Sequence, residues 1–96
     1  MPRVRVRGGA YLVTTRQEVR DRVVFLTSEI TKIPVSRLTE SATIDQELKM
    51  ESLSFVELQV AIEDEYQIEI DPIRVLELNE LGAIVDYVYR QVNGAE

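Results

Sequence analysis

Two hydroxyls stand two residues apart in the stretch KMESLSFVEL, Lys49 to Leu58: Ser52 and Ser54. A serine can attack a substrate, accept a covalent group, or cap a helix, and its neighbours decide which. Attack needs a base, and the 96-residue chain holds no histidine, the commonest one. It holds no cysteine either, which removes thiolate catalysis, disulfides and cysteine-ligated metals. Chemistry must come from carboxylates, hydroxyls, lysines or an added group, so a self-sufficient enzyme is not expected.

By local rules Ser54 is the better cap. Ser54-x-x-Glu57 fits a capping box just before an apolar run, which leaves Ser52 one step outside the helix. Other chemistry-bearing patterns fail. The glycines at 8, 9, 82 and 94 make neither phosphate-binding fingerprint. The acidic stretch from Asp64 to Asp71 lacks the central glycine and ligand spacing of a calcium loop. Consecutive acids such as Glu63-Asp64-Glu65 point in different directions on a helix, which does not suit paired acid/base work.

Charge is unevenly spread. Residues 1–20 carry five arginines against one glutamate, a net of +4; residues 45–80 carry eleven acids against Lys49 and Arg74, a net of −9. Such an acidic field repels nucleic acid and anionic membrane and draws in basic protein surfaces, or simply solvates one face. A helix-turn-helix reader, conceivable from helix number, would need a basic recognition helix that is absent. No apolar run approaches the roughly 18 residues of a membrane span, and Ala10 to Val13 is too short for a signal peptide. A cytoplasmic protein is the default expectation.

The elements that must position the serines follow from periodicity. Residues 1–13 read as a flexible N-terminal arm, residues 14–93 as one domain, and 94–96 as a tail. Thr15-x-x-Glu18 is a capping box, and Val19, Val23, Leu26 and Ile30 form one helical face that Pro34 ends near Lys32. A long loop, roughly 34–50, should anchor through Val35, Leu38, Ile44 and Leu48. A second helix from about Leu53 to Tyr66 carries Phe55, Leu58, Ile62 and Tyr66 on one face, broadened by Val56 and Val60. Gln67 to Ile70 is an extended link. Asp71-Pro72 starts a short helix, about 72–76, and Asn79 should cap a last one bearing Leu81, Ile84, Val85, Val88 and Val92, stopped at Asn93-Gly94. The expected fold is all-α: a four-helix bundle of three longer helices and one short helix.

The string LKMESLSFVELQVAIEDEYQIEI resembles the segment around the modified serine of acyl carrier proteins, L-G-x-D-S-L, then V-E-L, an acidic cluster, an aromatic and a closing I-x-I. Leu48, Ser52, Leu53, Val56, Glu57, Leu58, Glu63, Glu65, Tyr66, Ile68 and Ile70 carry the match without gaps. The likeness extends from about Glu18 to Val92, and LGAIVDYV is similar to the family's last helix.

The resemblance implies that Ser52 is esterified by 4′-phosphopantetheine, delivered from coenzyme A by a phosphopantetheinyl transferase. The thiol of that arm would carry acyl or aminoacyl groups as thioesters, which accounts for the missing cysteine and histidine. It also implies docking of acyltransferase, ligase or synthase enzymes through basic patches on Glu57, Glu63 and Asp64, with Glu51 and Leu53 beside the serine. Acyl chains would contact Ile62, Ile70 and Leu78, unless these are ordinary core residues. No metal and an acting monomer are expected. Glu51 replaces the usual aspartate, Lys49 the usual glycine, and Ser54 a frequent second aspartate. The last leans toward a dedicated carrier of polyketide or hybrid peptide metabolism, within an expected role in polyketide or fatty-acid-type biosynthesis. The other reading is an unmodified acidic helical interaction module with a carrier-like fold.

Overall fold

The first helix begins where the capping box places it. In a computed structural model that describes residues 14–94, the Thr15 hydroxyl accepts the Glu18 N–H at 3.1 Å, and the Glu18 carboxylate accepts the Thr15 N–H at 3.0 Å. The expected arm, residues 1–13, lies outside the described residues, as do the last two of the expected tail. Helix α1 spans Arg16–Thr31 and ends at Lys32, whose left-handed φ of 67° returns its N–H to the Ser28 carbonyl. Val19, Val23, Val24 and Thr27 are fully buried, while Leu26 and Ile30 lie at the edge of the face. Thr27 is tolerated in the core because its hydroxyl donates to the Val23 carbonyl at 2.7 Å.

Helix α2 spans Ser52–Tyr66, α3 Pro72–Leu78 and α4 Leu81–Val92, giving the expected three longer helices and one short one. The described residues form no strand, only one isolated bridge between Thr43 and Glu80. Asp71 caps α3 as expected, its Oδ1 accepting the N–H groups of Ile73 and Arg74, and Pro72 occupies the first turn. The α3 helix runs two residues beyond its expected end.

The loop between α1 and α2 departs further from expectation. Leu38, Ala42, Ile44 and Leu48 are buried, but Val35 is 51% exposed. Val35 opens a 3₁₀ turn, Val35–Arg37, that runs over the surface after Pro34; only Leu38, the next residue, turns inward. The loop then serves as the cap of α4. Ala42 and Glu40 carbonyls accept the N–H groups of Leu81 and Gly82, each at 2.8 Å. Asn79, expected to cap α4, instead ends α3, and its side chain pairs with Asp45: Oδ1 accepts the Asp45 N–H and Nδ2 donates to the Asp45 carboxylate. Glu80 is the N-cap and makes no side-chain cap bond.

A charged cluster fastens the same corner. Arg16 donates two hydrogen bonds to Glu40, at 2.9 and 3.0 Å, and another to Asp86; Arg20 donates to Glu40 at 3.1 Å. The Arg16 guanidinium holds the Glu40 carboxyl below its ordinary range, and Glu40, then Asp86, raise the Arg16 value. On the opposite side Arg22 of α1 grips Glu65 of α2 with two bonds of 3.0 Å. The core closes between them, with Phe55, Leu58 and Ile62 of α2 against Val19 and Val23 of α1 and Ile84, Val85 and Val88 of α4. Half-buried Tyr66 joins its edge, and burial pushes its phenol up to about 12.

Candidate functional site

The loop delivers an extended chain to the start of α2. Leu48 and Met50 donate their N–H groups to the carbonyls of Thr43 and Ile44, and Lys49 between them turns left-handed, φ 49°. Glu51 follows in extended geometry as N-cap without a side-chain bond, and its carbonyl accepts the Phe55 N–H at 2.9 Å. Ser52 is therefore the first helical residue. Its side chain is exposed, and its hydroxyl has no hydrogen-bond partner among the described residues.

Ser54 does not cap the helix. A cap needs extended backbone and an oxygen facing the next turn, and Ser54 already sits inside the first turn. The pinned loop starts α2 three residues before the capping-box pattern supposes, with Glu51 rather than Ser54 as N-cap, and Glu57 points to solvent. The N–H groups of Ser52, Leu53 and Ser54 consequently find no acceptor among the described residues. Such an uncapped N-terminus, with the positive end of the helix dipole, favours an anion by roughly 0.3–1 kcal/mol. A phosphodiester on the exposed Ser52 hydroxyl fits this end without displacing any bonded group.

The acids named from sequence divide in two. Glu51, Glu57 and Asp64 are exposed and take no ion pair among the described residues. Glu63 is half-buried, and its carboxylate accepts the Ile70 N–H at 2.8 Å, holding the link to α3. Leu53 is 69% exposed, and Val56 and Val60, placed by sequence on the core face, are 49% and 54% exposed. At about 100° per residue, Val56 and Val60 lie well around the helix from Phe55, Leu58 and Ile62, on the side of Leu53. That spacing is the signal by which they could have been placed outward. The outer side of α2 is thus an apolar stripe between carboxylates.

Beneath α2 lies an apolar cavity of about 10 Å³, and Ile62 and Ile70 are on its wall with Phe55, Leu58, Val75 and Gln59. Leu78 packs against the core but is not on that wall. Gln59 was not singled out by sequence; a lone amide in an apolar run gives no sign of what it faces.

The family described as "Phosphopantetheine attachment site" matches residues 21–88. The acyl carrier protein of Buchnera aphidicola subsp. Schizaphis graminum is 33% identical over 70 residues, 73% of this chain and 89% of that protein. The acyl carrier protein of Thermotoga maritima is 26% identical over 80 residues, 83% and 99% of the two chains. The solved structure of the acyl carrier protein from Enterococcus faecalis superposes with a TM-score of 0.68 at 29% identity, covering 81% of this chain and 99% of that one. The four helices in this order, the open N-terminus of α2 and these likenesses agree, and the chain belongs to the acyl carrier protein family, which carries covalently attached 4′-phosphopantetheine.

Proposed function

We propose that Ser52 is the attachment residue and that the chain is a discrete carrier which presents thioester-bound acyl groups to partner enzymes. The carrying observation is the Ser52 hydroxyl itself, exposed and unbonded at the first residue of a helix whose opening N–H groups have no acceptor among the described residues. In the loading step the Ser52 oxygen attacks the β-phosphorus of coenzyme A. A phosphodiester forms, the nucleoside bisphosphate leaves, and the hydroxyl proton passes to a base of the transferase, since this chain has no histidine to take it. The arm then supplies the thiol, while the helix end holds the phosphate near Glu51 and Leu53.

Partners approach the outer side of α2. Leu53, Val56 and Val60 give apolar contact; Glu51, Glu57 and Asp64 steer basic surfaces. Steering speeds encounter more than it tightens binding, which suits a shuttle that must release each partner. Glu63 contributes through the field more than by contact, because its oxygen is engaged by Ile70. Ser54 in place of a second acid supports a dedicated carrier in polyketide-type rather than fatty-acid synthesis.

Intact mass after incubation with coenzyme A and a broad-specificity transferase tests the reading. Wild type should gain the mass of one arm, Ser52→Ala none, and Ser54→Ala the same as wild type. An unmodified wild type would support the interaction-module reading instead; an arm on Ser52→Ala would move the site.

A further inference from the structure

Ile70 is gripped by α2 at both of its backbone polar groups. Glu63 accepts its N–H at 2.8 Å, and the Gln59 amide donates to its carbonyl at a longer 3.4 Å. Positions 59 and 63 are one turn apart on the same helical face, so the two side chains act on one point of the link. The next N–H, of Asp71, goes to the Tyr87 hydroxyl at 3.0 Å, tying the link to α4 as well. The Ile70 side chain, 6% exposed, forms part of the cavity wall, and among the described residues Gln59 is the only polar side chain on that wall.

Size makes this grip consequential. A cavity that holds a benzene-sized group is about 150 Å³, whereas this one is about 10 Å³, space for a single water-sized sphere. A medium-length acyl chain therefore enters only if a wall moves. Three of the walls are helices locked by their own hydrogen bonds. The remaining wall is the non-helical link carrying Ile70, and its backbone depends on Gln59, Glu63 and Tyr87. Displacing it strips the Ile70 carbonyl of the Gln59 amide and leaves both facing hydrocarbon, an unfavourable exchange.

We propose that Gln59 and Glu63 clamp Ile70 over the cavity and thereby make the carrier selective for short or polar acyl groups, which stay outside the helices. The cargo half rests on the carrier reading; the clamp exists in the unmodified chain and is tested there first. Amide hydrogen exchange at Ile70 is compared in wild type and Gln59→Val, both with Glu63 intact. Exchange faster by about threefold or more is expected, and an unchanged rate overturns the clamp. If Gln59→Val does not fold, Gln59→Met, which keeps length and lacks the donor, carries the comparison.

Acetyl and octanoyl groups are then loaded from their coenzyme A thioesters and cleaved with hydroxylamine. In wild type the two thioesters should be cut at rates equal within about twofold, because neither is sheltered. In Gln59→Val only the octanoyl thioester should slow, by about fivefold or more, as the chain enters an opened and fully apolar cavity. Sheltered octanoyl in wild type, or no shelter in the variant, overturns the selectivity. Failure of wild type to load either group sinks the carrier reading, and the exchange measurement still decides the clamp.

Discussion

At Lys49 the backbone turns left-handed three residues before Ser52, a conformation that costs a residue with a Cβ about 1–2 kcal/mol. Glycine, the residue that the family resemblance leads one to expect there, adopts this turn without steric cost. Glycine also adds freedom to the unfolded chain, at about 0.4–1 kcal/mol. The balance predicts that Lys49→Gly is more stable by about 0.5 kcal/mol, read as a higher urea midpoint with an unchanged slope. A lower midpoint would mean that the lysine side chain has a stabilising role no contact reveals. The Ser52 hydroxyl, two residues past Met50, should stay exposed in Lys49→Gly as in wild type, because Met50 remains tied to Ile44.

At the scale of elements, the joint between the long loop and α4 is closer than any helix pattern could suggest. A Cβ on Gly82 would meet the Glu40 Cβ at 2.9 Å and the Glu40 backbone oxygen at 3.2 Å. Helix propensity alone makes Gly82→Ala stabilising, by up to about 1 kcal/mol. The packing argument reverses the sign, because the loop carbonyls that cap α4 must move; a loss of about 1–2 kcal/mol is expected. Chemical denaturation of this variant separates the two outcomes by sign. The helices themselves were legible from local rules: the Thr15–Glu18 box, Asp71-Pro72, and the apolar spacing of α2 and α4 all gave elements where expected. The Ser54 and Asn79 caps were not, since each obeys a helix-start pattern that hydrogen bonds from the long loop override. Asn79 pairs with Asp45 across 34 positions, and the ties at Leu48 and Met50 start α2 early.

Across the whole molecule, acid should act through Glu40. Its folded value lies below the ordinary 4.5 because Arg16, and then Arg20, hydrogen-bond the ionised form. A depressed carboxyl contributes stability above its unfolded value and loses it as pH falls through the folded one. The stability gap between wild type and Glu40→Gln should therefore be widest at neutral pH and shrink progressively below about pH 4.5. Thermal melts of both proteins from neutral to acid pH measure it, and a gap independent of pH would show that Glu40 acts by shape alone. Comparing the pair removes the opposing effect of relieved repulsion on the acidic face, which both share.

The sequence by itself determined the helices, the all-α class, the absence of a chain-borne thiol or imidazole, and the serine on which a family likeness converges. Those properties live in composition and in spacings of three to four residues. Tertiary structure decided how α2 and α4 begin, whereas the caps of α1 and α3 followed their local patterns. It took Glu63 from the surface to hold Ile70 and left the Ser52 end of α2 without a side-chain cap, whereas the outward side of Val56 and Val60 was already present in the helical spacing. The reason is physical. An uncapped end, a shared carboxylate or a narrow cavity is set by which partners arrive from elsewhere in the chain, and arrivals such as Glu40 at Gly82 leave no periodic trace.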